Sequence, residues 1–166
     1  MPEAERCFHI EQDEIWQPRL QALRDDGKRI VTTNGTFDIL HVGHIHLLRE
    51  AKGQGDVLVV GLNSDASVQA YKSPLRPIVP QVERARMLLA LRDVDWVMIF
   101  DETTSERFVR TLKPDVHVKD ATYGYDLLEA PIVAEYGGAI HLVEKSPHST
   151  TNIIERILEV YRQEQS

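Results

Sequence analysis

Short β-branched runs alternate with longer amphipathic stretches along almost the whole chain, and this alternation restricts the fold more than any other feature. Residues 30–33, 57–62, 94–100, 116–118 and 140–143 are apolar, brief and rich in Val and Ile, as strands buried on both faces of a parallel sheet are. Between them lie segments of helical period. Ile15, Leu20 and Leu23 mark one face of an N-terminal helix that Gly27 closes, and Ile45, Leu48 and Ala51 mark a helix over 42–52 with Gly53 at its C-cap. Ser64 opens another helix, residues 82–91 a fourth, and Thr104 a fifth that runs to Leu112 before Pro114 bars its continuation. Ile153, Ile154, Ile157, Leu158 and Tyr161 stripe a final helix whose N-cap falls at Ser149, Thr150 or Thr151. Strand–helix–strand alternation predicts an α/β fold, a doubly wound Rossmann-like three-layer sandwich with a mostly parallel sheet.

The 166 residues suit one domain, read as a helical extension over 1–27 and a catalytic core over 28–160. Lys and Arg number 19 against 26 Asp and Glu, a net charge of −7, so no general field attracts a nucleic acid. Cys7 is the single cysteine, which excludes a disulfide framework and fits a reducing compartment. No apolar run approaches the roughly 18 residues of a membrane span, and the acidic start is unlike a signal peptide, so a cytoplasmic location is expected. No GxxxxGK[ST] loop is present, and Gly53-Gln54-Gly55 precedes a strand instead of following one, unlike a dinucleotide fingerprint.

In a doubly wound sheet, ligands bind beyond the carboxyl ends of the strands. After the first strand comes Gly35-Thr36-Phe37-Asp38-Ile39-Leu40-His41-Val42-Gly43-His44. Gly35 permits a tight turn there. A helix then begins near Val42, aiming its free N–H groups and positive dipole end above the sheet. His41 and His44, three residues apart, share a side of the first turn, and Gly43 lets an anion approach the backbone. That pattern predicts a phosphate site in preference to two solvated or capping histidines. Zinc bound by His41, His44 and His46 is disfavoured, because neither cysteine nor an obvious further ligand accompanies them. Lys52 closes the same helix, where a cation serves the dipole and a phosphate equally well. Asp65 is read as a helix cap, and Trp96 as strand packing.

These residues resemble the HxGH signature of the nucleotidyltransferase superfamily that contains cytidylyltransferases and adenylyltransferases. The wider text is closest to bacterial D-glycero-β-D-manno-heptose 1-phosphate adenylyltransferases, colinearly over about residues 28–158, through VTTNGTFDILHVGHIHLL, LRPIVPQVERARMLLAL, VDWVMIFDE and STTNIIERI. The resemblance implies that Gly35, Thr36 and Phe37 touch the nucleotide while His41 and His44 stabilise its α- and β-phosphates. It further implies phosphate contacts from Lys72 and Arg84, a nucleotide contact from Lys119, and a grip on the triphosphate by Ser149 and Thr150. Lys52, Asp65, Arg76, Asp120 and Thr122 are the expected substrate-side residues. Mg²⁺ is expected to enter with the nucleotide phosphates and not on protein ligands of its own. The implied partners are a nucleoside triphosphate and a small phosphorylated sugar or polyol, without nucleic acid or membrane, in a possible homodimer.

One segment departs from those relatives. They carry Lys-Gly-Gly-Asp-Tyr where this chain has Lys119-Asp120-Ala121-Thr122-Tyr123, and often Cys where it has Thr36. Losing two glycines and a carboxylate reshapes an edge where base, ribose or sugar would be read. The expected reaction is therefore AMP transfer from ATP to a sugar 1-phosphate, releasing pyrophosphate. A cytidylyltransferase using CTP and glycerol 3-phosphate, and a catalytically silent nucleotide-binding module, are the competing readings.

Overall fold

The computed structural model describes residues 5–123, 127–144 and 146–164. In chain order the elements are β1 (Cys7–His9), α1 (Asp13–Asp25), β2 (Ile30–Gly35), α2 (Val42–Lys52), β3 (Val57–Asn63), α3 (Asp65–Tyr71), α4 (Gln81–Leu89), β4 (Trp96–Phe100), α5 (Glu106–Leu112), β5 (Val116–Asp120), α6 (Glu129–Glu135), β6 (Ala139–Val143) and α7 (Thr150–Glu164). The strands form one sheet in the order β1-β4-β3-β2-β5-β6, and every neighbouring pair is parallel. The sheet is thus wholly parallel where the sequence led us to expect a mostly parallel one.

Parallel strands need both faces covered, and the side chains divide accordingly. Val31, Leu58, Val60, Leu62, Val97 and Val118 pack with Leu48 of α2 and Leu88 of α4 on one face. Ile30, Val59, Met98 and Phe100 pack with Trp16 and Leu20 of α1, Phe108 of α5 and Ile132 of α6 on the other. This is the three-layer sandwich. The strand order reverses between β2 and β5, so the crevice above their carboxyl ends is the place for a ligand.

Several elements differ from the sequence reading. The face of α1 is set by buried Trp16 and Leu20, whereas Ile15 is 41% exposed. The segment before residue 28 also contributes β1, which pairs with β4 at the sheet edge. Strand β4 begins at Trp96, with Val94 buried just ahead of it, and α5 begins two residues after Thr104. Ser64 is the cap of α3, its hydroxyl accepting from Ser67 N–H. Asp65 instead reaches the start of α4, where it accepts from Gln81 N–H at 2.9 Å. Among the described residues no helix is long and apolar enough to cross a membrane.

Candidate active site

The loop leaving β2 is held in an uncommon conformation. Phe37 has φ +47°, a left-handed value that costs a bulky side chain free energy. Its buried ring lies against Gly35, where a Cβ would stand 3.2 Å from the ring. The ring also meets His44, with centroids 5.1 Å apart.

His41 then caps α2 with its own side chain. Its Nδ1 accepts a hydrogen bond from Gly43 N–H at 3.1 Å, which leaves the proton of the neutral ring on Nε2. His44 stacks on it with centroids 3.8 Å apart. Gly43 is required between them, since a Cβ there would lie 2.8 Å from Ser146 Oγ and 3.0 Å from the His41 ring. Burial, then the neighbouring His41 and Lys72, push His44 down to about 4, while burial and His148 lower His41. Both rings are therefore largely neutral near pH 7.

A second loop brings cations over this pair. Asp38, 2% exposed, accepts from the N–H groups of Ile78 and Val79 at 2.8 Å each. Its other oxygen lies 2.6 Å from Arg76 Nη2. One carboxylate thus ties the stretch that carries Lys72 and Arg76 to the histidine loop. Burial, then the nearby Arg76, lower the Lys72 ammonium from its usual value.

The third wall is the start of α7. Ser149 Oγ accepts from Asn152 N–H at 3.1 Å and so caps the helix. Thr150 Oγ1 reaches the Ile39 carbonyl at 3.4 Å. His41, His44, Lys72, Arg76, Ser149 and Thr150 all line one cleft of about 990 Å³, into which two helix N-termini point.

The far wall is built by β5 and by the residues after it in the chain. Lys119 Nζ donates to Asn34 Oδ1 at 3.0 Å and to Glu129 Oε1 at 2.8 Å. Glu129 also accepts from Ser105 Oγ. Burial acts to raise the Glu129 carboxyl, but Lys119 and Ser105 outweigh it and hold it at about 2. Asp120 Oδ1 accepts from Thr122 N–H at 2.8 Å and from the Thr122 hydroxyl, making a closed turn at the rim. The Tyr123 side chain lies outside the described residues.

The structure does not bring every expected residue to the cleft. Arg84 is fully buried behind it, donating to the carbonyls of Thr36 at 2.5 Å and Val79 at 2.9 Å and to Asp65 at 2.8 Å. Arg84 and Asp65 thereby brace the two loops from below. Lys52 sits at the opposite end of α2, bonded to Asp95 Oδ2 and the Asp56 carbonyl at 2.5 Å each. His46 is exposed and is not part of the cleft lining.

Asp38, Asn34, Ser105, Glu129 and Tyr71, whose hydroxyl pairs with Thr36 Oγ1 at 2.5 Å, were not singled out from the sequence. Only Asp38, an acid inside an anion-binding signature, offered a signal there. Among the described residues no group of three His, Cys, Asp or Glu is placed to hold a metal. The buried carboxylates Asp38 and Glu129 are both engaged by cations. A Mg²⁺ carried on phosphate oxygens and water fits this donor set, because it needs few protein ligands.

A histidine pair capping a helix at the switch point of such a sheet defines the class: a nucleotidyltransferase of the HxGH type. The cytidylyltransferase-like family profile matches residues 32–156, and the chain belongs to that family. A bifunctional protein HldE of Geobacter metallireducens is 49% identical over 147 residues, covering 87% of this chain and 30% of that protein. Its counterpart in Syntrophotalea carbinolica is 47% identical over 151 residues, again 87% of this chain and 30% of the other. The chain therefore spans about 30% of the length of these curated relatives. A solved lipopolysaccharide core biosynthesis protein from Thermoplasma volcanium superposes with TM-score 0.57 at 31% identity, over 74% of this chain and 100% of that one. A pantoate-beta-alanine ligase from Francisella tularensis, with TM-score 0.57 over 79% of this chain and 66% of its own, is 17% identical and shares the fold alone.

Proposed function

We propose that residues 28–160 form a catalytic core that transfers AMP from ATP to a sugar 1-phosphate, D-glycero-D-manno-heptose 1-phosphate foremost, giving ADP-sugar and pyrophosphate. The observation that carries the reaction class is the stacked His41–His44 pair at the head of α2, facing Lys72, Arg76 and the start of α7 across one cleft. A carbohydrate acceptor is supported by the colinear heptose-type text of the sequence and by the likeness to a lipopolysaccharide core biosynthesis protein of Thermoplasma volcanium.

In this reading an oxygen of the sugar phosphate attacks the α-phosphorus in line, and the bond from that phosphorus to the β-bridging oxygen breaks. The electron pair leaves with pyrophosphate. His41 Nε2–H and the His44 ring donate to α- and β-phosphate oxygens as charge shifts onto them. Lys72 and Arg76 neutralise the polyphosphate, and the capped start of α7 presents backbone N–H groups to its other side. Mg²⁺, entering with the nucleotide and held by no protein ligands of its own, would supply further charge neutralisation. No covalent nucleophile is needed. Asp120 and Thr122 shape the rim opposite the histidines, where acceptor or base is read. A cytoplasmic setting belongs to the same reading, since ATP and sugar phosphates are met there.

The test is pyrophosphate release with Mg²⁺, crossing ATP and CTP with heptose 1-phosphate, other sugar 1-phosphates and glycerol 3-phosphate. Release with ATP and the heptose phosphate, lost in His41→Ala and His44→Ala, is the expected result. Turnover confined to CTP and glycerol 3-phosphate would overturn the adenylyl assignment. Nucleotide binding without turnover of any acceptor would favour the silent module.

A further inference from the structure

Lys72 lines the cleft with little to hold it there. Among the described residues its ammonium makes no hydrogen bond and no ion pair. Arg76 repels it, and the Asp38 carboxylate that could compensate is bound to Arg76 at 2.6 Å. A lysine stem is long and flexible, so an ammonium in that setting spreads over many rotamers unless something fixes it. The contact it does make is with the preceding residue. Lys72 Nζ stands over the ring of Tyr71, 5.6 Å from the centroid and within reach of a cation–π attraction.

Neighbours in sequence touch often, and a ring at the end of a helix ordinarily sweeps past such a partner. Tyr71 ends α3 and is 43% exposed, yet its ring is tied at the far end. Its hydroxyl pairs with Thr36 Oγ1 at 2.5 Å, on the loop that leaves β2. Thr36 is itself buried, and its carbonyl accepts from Arg84 at 2.5 Å. A chain of contacts therefore runs from Arg84 behind the cleft, through Thr36 and the phenol, to the ammonium. Thr36, Tyr71 and Lys72 line the same cleft as His41 and His44. Thr36 stands where the adenylyltransferases that the sequence resembles often carry Cys. A thiol is a weak donor and acceptor, so threonine gives the phenol the firmer anchor.

We infer that Tyr71 is a positioning residue: bonded to Thr36 Oγ1, its ring holds the Lys72 ammonium at the cleft ahead of the polyphosphate. A ring attracts a cation without neutralising it as a carboxylate would, so the charge is placed and still available. An arriving phosphate meets an ammonium already in position and loses less side-chain entropy on binding. The holding of Lys72 stands on the geometry, and its service to a nucleotide rests on the proposed function.

NMR of the full chain labelled with ¹³C-lysine tests the contact, with the Lys72 signal assigned by its loss in Lys72→Ala. An upfield ring-current shift of the Lys72 ε-methylene protons is expected. Tyr71→Leu should abolish it, while Tyr71→Phe, which keeps the ring and loses the bond to Thr36, should retain part of it. Mg²⁺-ATP affinity of the same proteins tests what the contact does. Tyr71→Leu should weaken binding by on the order of tenfold and Tyr71→Phe by about threefold. In a Lys72→Ala background, Tyr71→Leu should have no further effect, whereas a general disturbance of the fold would weaken both backgrounds alike. A Lys72 signal without the shift, or one indifferent to Tyr71→Leu, overturns the proposal. A Tyr71→Leu effect undiminished in Lys72→Ala overturns the positioning role. Wild-type protein that shows the shift but binds neither ATP nor CTP counts against the proposed function and leaves the holding of Lys72 established.

Discussion

His41 and His44 are both largely uncharged in the free protein, although they sit where an anion is to be bound. Two imidazoles with centroids 3.8 Å apart cannot both be charged cheaply, and burial penalises either charge. A polyphosphate reverses the balance by rewarding protonation. Mg²⁺-ATP binding should therefore take up protons, with affinity rising as pH falls from neutrality toward about 6. Calorimetry in buffers of different ionisation enthalpy reads this directly, and an enthalpy independent of buffer would refute it. Removing either ring should cost turnover about 10²–10³-fold while leaving the fold intact, the scale of a lost transition-state donor. The pair was legible in the sequence because His41, Gly43 and His44 act within one helical turn. The tie that Asp38 makes was not, since its partners Arg76, Ile78 and Val79 lie about 40 residues away.

The elements differ in how strongly their charges bind them together. Lys119 on β5 and Glu129 on α6 are buried together, so removing the carboxylate takes away the counter-charge that the lysine meets at 2.8 Å. Glu129→Gln should destabilise the protein by about 3–5 kcal/mol, seen as a lower urea midpoint. Asp38→Asn should act differently. It loosens the stretch bearing Lys72 and Arg76, so KM for the nucleotide should rise more than thermal stability falls. The long helices and central strands could be read from period and caps alone. Strand β1, with three residues, is too short to show a period. Helix α6 has seven residues with Pro131 in its first turn, a position that tolerates proline but hides the helix from pattern reading. For α1, spacing pointed to a face through Ile15, Leu20 and Leu23, and the fit of Trp16, whose Nε1–H meets the Ile10 carbonyl at 3.2 Å, turned the helix to leave Ile15 exposed.

At the scale of the molecule, burial of neutral histidines should make the fold sensitive to acid. His44 is lowered to about 4 and His117, wholly enclosed and bonded to Thr32 Oγ1 at 2.7 Å, to about 3. The unfolded chain protonates both near 6.5, so below that pH it binds more protons than the native state. Stability is then full above about pH 6.5 and lost as pH falls toward 4, by of order 3 kcal/mol for each group. Denaturant midpoints at several pH values check the direction, and His117→Gln should flatten the slope if it still folds. The sequence by itself determined the alternation of strand and helix, the starts of α2, α3 and α7, and the histidine pair at the end of β2. These depend on residues within a turn or two of one another, where period and capping operate. Only the tertiary structure decided that β5 lies beside β2 and brings Lys119 to Asn34, that Arg84 braces loops from behind the cleft, and that Lys52 faces away from it. A charge is visible in a sequence, but its partner is set by which strands pack side by side, and that is a property of the whole sheet.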